Sequence, residues 1–164
     1  MNAKQRKSFL SFLFWARRTH GYAGGAKGDN LLRGGKQFTC SRGVFSYGDT
    51  FLDQDPFIGQ ETVWHADRGW LWGMNYYGAM LRAGKRTLVV SAEETYMFLK
   101  FALLECDVTA PYRGPKSHAE GNWVYENEWT PWSKLERFCG TEAIFYKGIL
   151  VYQGEYHGGV IGTK

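Results

Sequence analysis

The chain has 164 residues and a mass of 18.8 kDa, a length that holds one hydrophobic core and makes a second independent domain improbable. Its 44% hydrophobic and 22% charged residues exclude a disordered chain. The longest charge-free run, Gly69 to Leu81, is broken by Gly and Asn and falls short of the roughly 18 apolar residues of a membrane-spanning helix. The net charge of +4 divides unevenly, with nine Lys/Arg against one acid in residues 1–46 and eleven against fifteen in residues 47–164. One domain, 1–164, is expected, with two halves, 1–90 and 91–164. With 21 Gly and 28 aromatic residues (Trp 7, Tyr 10, Phe 11), the composition suits short antiparallel strands joined by tight turns.

Lys4, Arg6 and Lys7 before an apolar run have the outline of a signal peptide. Arg17 and Arg18 then stand where a small-residue cleavage site belongs, so the expected location is cytoplasmic. Gln5 to Arg18 reads as a first helix, with Phe9, Phe12, Leu13 and Ala16 on one side and Gly21 as the stop. The basic, glycine-rich stretch around Lys27, Arg33, Lys36 and Arg42 suits a solvated loop. No base-reading motif accompanies it, and direct nucleic-acid binding is not expected. A second helix is predicted from Ala92 to Glu105, capped by Ser91 with Glu94 three residues later, its apolar stripe formed by Met97, Phe98, Phe101, Ala102 and Leu104. Asp67-Arg68-Gly69 and Lys147-Gly148 read as hairpin turns. Cys40, Cys106 and Cys139 are odd in number and widely spaced, which supports neither a disulfide framework nor a zinc site. No cofactor motif is present.

An internal repeat organises the rest. Residues 57–65 align with 138–146 through Phe-x-Gly-x-Glu, and 72–81 align with 152–161, matching Trp72 with Tyr152, Asn75 with Glu155, Tyr76 with Tyr156, Tyr77 with His157 and Gly78 with Gly158. Tyr22-Ala-Gly after the first helix mirrors Tyr112-Arg-Gly after the second. The expected fold class is α+β: two units, each a helix followed by about three antiparallel strands, related by a pseudo-twofold. Strand alternation places Trp70, Trp72, Met74 and Tyr76 on one face and Leu71, Asn75 and Tyr77 on the other. In the second copy it separates Leu150, Tyr152 and Tyr156 from Val151, Glu155 and His157. Most of the tryptophans are expected in the core.

Candidate ligand-binding residues follow from the matched positions: Glu61 and Glu142, Trp72, and the cluster Asn75, Tyr77, Glu155 and His157. Two equivalent carboxylates can divide acid and base roles, or each can accept backbone hydrogen bonds of the preceding turn. Asn75 against Glu155 and Tyr77 against His157 supply unlike donors and acceptors on a near-symmetric frame, which suits an asymmetric small molecule in a shared cleft. An enzyme using Glu61, Glu142 or His157 for proton transfer is the alternative, and a protein-interaction domain is a third.

The segments Tyr22-Ala-Gly-Gly25, Phe57-x-Gly-x-Glu61-x-Val-Trp64, Trp72-Gly-Met-Asn-Tyr-Tyr-Gly78, Tyr112-Arg-Gly-Pro115, Phe138-x-Gly-x-Glu142 and Tyr156-His-Gly-Gly159 resemble a bacterial domain of unknown function. That family is found alone or fused behind helix-turn-helix regulators of the XRE type. The resemblance implies a sensory or effector-binding role and carries no catalytic residues with it.

Overall fold

In the computed structural model, which describes residues 1–82 and 88–162, side chains that alternate between buried and exposed mark the strands. Helix α1 (Ala3–Thr19) is followed by β1 (Asp29–Asn30), β2 (Lys36–Arg42), β3 (Phe45–Leu52), β4 (Phe57–His65) and β5 (Gly69–Met80). Helix α2 (Ala92–Leu104) is followed by β6 (Ser117–Glu120), β7 (Trp123–Trp129), β8 (Arg137–Tyr146) and β9 (Ile149–Val160). The strands form one antiparallel sheet in the order β1-β2-β3-β4-β5-β9-β8-β7-β6. Five strands follow α1 and four follow α2, where the sequence pattern predicts about three each. The short pairings β1–β2 and β6–β7 carry no period long enough to read.

The two central strands join the halves. β5 and β9 pair from Trp72↔Val160 to Met80↔Tyr152, with Tyr76 opposite Tyr156. The flanking hairpins share a register: Phe57 faces Gly78 and Glu61 faces Met74, while Phe138 faces Gly158 and Glu142 faces Gly154. Both carry a bulge at the same place, between Val63 and Trp64 and between Ile144 and Phe145.

Those bulges correct the predicted faces. Val63 pairs with Trp72 and Trp64 with Trp70, so Leu71 is an extra residue and the alternation slips by one there. Leu71 and Trp72 are both buried while Trp70 is exposed. In β9 the extra residue is Val151, and both Val151 and Tyr152 are buried. Trp64, Trp70 and Trp132 are exposed, and Trp72 is the only tryptophan in the buried core among the described residues.

Both helices lie on one face of the sheet and close a single apolar cluster. α1 is capped at Asn2 by a reciprocal bond with Gln5, and its Phe9, Leu13 and Ala16 are fully buried. Phe9 lies 6.2 Å from Trp72, which stacks on Phe138 at 5.8 Å. In α2 the predicted cap holds: the Ser91 side chain accepts from the Glu94 amide, and the Glu94 carboxylate accepts from the Ser91 amide. Its buried stripe is Thr95, Phe98, Leu99 and Ala102, with Met97 and Phe101 exposed. The helix is thus rotated from the predicted stripe, because Phe98 stacks on Trp123 at 5.3 Å and fixes its phase. The Lys147-Gly148 turn has positive φ at both residues (51° and 77°), the geometry of a two-residue hairpin. No helix among the described residues is long and apolar enough to cross a membrane.

Candidate functional site

The helix-facing side of the sheet carries a ladder of polar groups. In the first half, Glu61 of β4 takes both oxygens to Arg17 of α1, at 2.7 Å from Nε and 2.6 Å from Nη2, and also accepts from the Tyr47 hydroxyl at 2.7 Å. In the second half, Glu142 of β8 accepts from Arg113 Nε at 3.3 Å and from the hydroxyls of Tyr125 and Tyr152 at 2.9 and 2.8 Å. Each glutamate is therefore held by an arginine and by one tyrosine hydroxyl (Glu61) or two (Glu142) rather than by backbone amides of the preceding turn. One register step further along β3 and β7 sit Asp49, opposite Glu61, and Asn127, opposite Glu142. The Tyr76 hydroxyl donates to Asp49 at 2.5 Å, and that of Tyr156 donates to Asn127 at 2.7 Å. Gly59 and Gly140 make room for these two rings, since a Cβ at either position would strike the tyrosine.

The two halves differ in what lies above this ladder. In the second half the apolar side chains of Leu135 and Phe138 are buried and Tyr112 stacks on Phe138 at 4.9 Å. In the first half a cavity of about 880 Å³ opens, within the size range of small-molecule sites. Its floor is β2 to β5, its sides are the end of α1 with the loop over residues 21–35, and its far wall is α2. Ala92, Tyr96, Lys100 and Leu103 recur at the 3.6-residue period, so one face of α2 looks into the cavity while another packs on β7. Tyr22 stands edge-on to Phe51 at 5.5 Å, and Lys100 lies 4.5 Å from the Tyr22 ring centre.

Two deep groups are chemically distinctive. Asp49, 6% exposed, has its carboxyl pushed up to about 6, first by burial and then by the charge of Glu61, against the opposing pull of the Tyr76 bond and Arg113. The Arg113 side chain is 9% exposed and lies over the Tyr76 ring at 4.3 Å. Its Nε is engaged by Glu142, but its two terminal nitrogens have no protein acceptor among the described residues. At the side of the cavity, burial and the nearby Lys36 lower the Lys100 ammonium.

The sequence candidates are split by the sheet. Glu61 lines the cavity, Glu142 lies beneath Arg113, and Trp72 is sealed in the core with its indole nitrogen unpartnered. Asn75, Tyr77, Glu155 and His157 lie together on the opposite face, around an open groove of about 580 Å³. There Asn75 accepts from Gln60 at 2.9 Å and sits 3.4 Å from His157 Nε2. The seven candidates therefore fall on two sides, because residues of opposite parity on β5 and β9 face opposite sides. Sequence reasoning missed Arg17, Tyr47, Asp49, Tyr76 and Arg113. Two signals were available: Arg113 sits inside the Tyr112-Arg113-Gly114 motif, and Tyr76 is matched with Tyr156. The three cysteines are free, and no group of His, Cys, Asp or Glu among the described residues can hold a metal.

No curated protein and no solved structure was found to match the chain at a significant level. A family model does match residues 49–161, from Asp49 to just past β9, and so takes in Glu61, Tyr76, Arg113 and Glu142 while leaving out α1 and the loop that follows it. By that match the chain belongs to a family described as a domain of unknown function, DUF5680.

Proposed function

We infer that this chain is a small-molecule-binding domain and that its ligand occupies the cavity between α2 and the first half of the sheet. The observation that carries this reading is Arg113: a nine-tenths buried side chain in the lining of a cavity of about 880 Å³, whose terminal nitrogens have no protein hydrogen-bond partner among the described residues. Neither nitrogen is sealed off among the described residues, so a bound ligand can accept from both. In this reading the two halves derive from one duplicated unit about a local twofold through the Tyr76–Tyr156 pair. The matched registers and bulges support that, and ligand binding is the property the first half kept. A thermal-shift screen of metabolites tests the idea, because a ligand at about a hundred times its dissociation constant adds roughly 2.7 kcal/mol of stability. Hits should disappear in Ala26→Trp, which fills the cavity from its loop. Hits unaffected by that substitution place the ligand elsewhere, with the outer groove at Asn75 and Glu155 as the next site to vary.

A second reading, proton-transfer catalysis, is favoured by one observation. Asp49 faces the cavity with a carboxyl near 6, close to neutral working conditions. It carries that role better than Glu61 or Glu142, whose oxygens are engaged by arginine and tyrosine, or His157, which lies on the other face.

A further inference from the structure

We propose that the cavity selects an organic monoanion, a flat apolar body bearing one carboxylate, which docks on the terminal nitrogens of Arg113. This rests on the cavity being the ligand site and adds the class of ligand. Of the basic side chains lining it, Arg17 is neutralised by Glu61 in a two-point contact. Arg113 is paired with Glu142 through Nε alone, which leaves its terminal nitrogens, and neither Lys36 nor Lys100 has an acid within salt-bridge distance among the described residues. Burial first, and then the like charge of Lys36, lower the Lys100 ammonium. An anion between them and Arg113 relieves that repulsion.

The shape of the acceptor follows from Arg113. Its planar fork matches the two oxygens of a carboxylate. A phosphate monoester would bring close to two negative charges into a pole that already holds Glu61, Glu142 and Asp49. The apolar body is specified by Tyr22, Phe38, Phe51 and Phe57 on the cavity walls.

Asp49 then gives the site a pH response. It is faced by Glu61 of β4, Tyr76 of β5, Arg113 beyond α2, Tyr22 beyond α1 and Tyr47 of its own strand, with Arg17 behind Glu61. Protonated, it offers a hydrogen bond to a carboxylate; ionised, it repels one. Anion affinity therefore falls as pH rises above about 6, by up to about tenfold per pH unit when the proton is held on binding. A cationic ligand would give the opposite slope.

The experiment uses three probes of one shape: naphthoate, naphthylmethanol and naphthylmethylammonium, titrated into the intact chain by calorimetry at several pH values. Naphthoate is expected to bind at least about tenfold tighter than the alcohol, with the ammonium weakest. Arg113→Lys should cost naphthoate about tenfold and leave the alcohol nearly unchanged, because the lysine keeps the charge opposite Glu142 but loses the fork. Lys100→Met, at a half-buried position, should weaken naphthoate a few-fold without affecting the fold, and Asp49→Asn should flatten the pH slope. If the alcohol or the ammonium binds as tightly as naphthoate, and binding is lost in Ala26→Trp, the cavity remains the ligand site but the anion assignment is wrong. If none of the probes binds while the metabolite screen yields hits sensitive to Ala26→Trp, the proposed class is likewise wrong. If the screen also fails, the binding function itself falls.

Discussion

Asp49 and Asn127 occupy matching places, each opposite the glutamate of the next strand and each accepting a tyrosine hydroxyl from the central pair. Asn127, 1% exposed, also donates its amide to the Gly114 carbonyl at 3.1 Å and sits in packed core. Asp49 has only Tyr76 as a side-chain partner, and it faces a cavity. One scaffold thus holds a satisfied amide where the space is filled and an acid where it is empty. A buried carboxylate without full pairing costs stability, so the acid marks the half in which something other than packing is required of the position.

The comparison can be broken most forcefully at the glutamates. Glu142→Ala leaves Arg113 buried with no hydrogen-bonded acceptor and is expected to cost about 3–5 kcal/mol in denaturant melts. Glu61→Ala should cost less, because Arg17 keeps the carbonyls of Tyr112 and Pro111 at 3.0 and 3.3 Å. Equal losses would mean that the two arginines are supported alike.

Asp49→Asn gives the first half the amide of the second. The folded carboxyl, at about 6, binds its proton more tightly than the unfolded one, near 3.8. Between those values the native state holds the extra proton, so this group's contribution falls as pH rises through the window and is most unfavourable above it. The substitution should therefore stabilise the protein at pH 7 by on the order of 3 kcal/mol and have little effect near pH 4. A gain independent of pH would show that the benefit is packing rather than charge.

The converse change, Asn127→Asp, removes the donor to Gly114 and places an acid in filled core. A loss of about 1–3 kcal/mol is expected, larger at pH 7 than at pH 4. The smallest effect concerns the helices, which both begin with a capping box. Ser91→Ala should cost about 1 kcal/mol in denaturant melts.

Elements with a strong local code were legible in the sequence: the α2 cap, the Lys147-Gly148 turn, and the strand pairs on either side of it and of the Asp67-Arg68-Gly69 turn. The bulges were not. A one-residue insertion in a ladder leaves composition unchanged yet reverses the faces of Trp70 and Leu150 relative to the strand beyond it. The site was legible only in part, because matched positions identify what the halves share, whereas the cavity exists through what they do not. Asp49 belongs to no motif, and its importance arises from Glu61, Tyr76 and Arg113, residues from three other segments of the chain. Asn75 and His157 lie together on the face of the sheet opposite Glu61, a relation between strands that no single-strand pattern carries.

The β5–β9 pairing also sets the order in which this molecule can assemble during synthesis. β5 is finished at Met80, yet its partner along nine residue pairs begins at Ile149. Until that last strand emerges, the first half presents β5 as an open edge rich in aromatic residues, the kind of surface that pairs with other chains. The contact is also far apart in sequence, which slows folding. Chaperone contact during translation should therefore concentrate on chains longer than residue 80 and fall away once β9 is available.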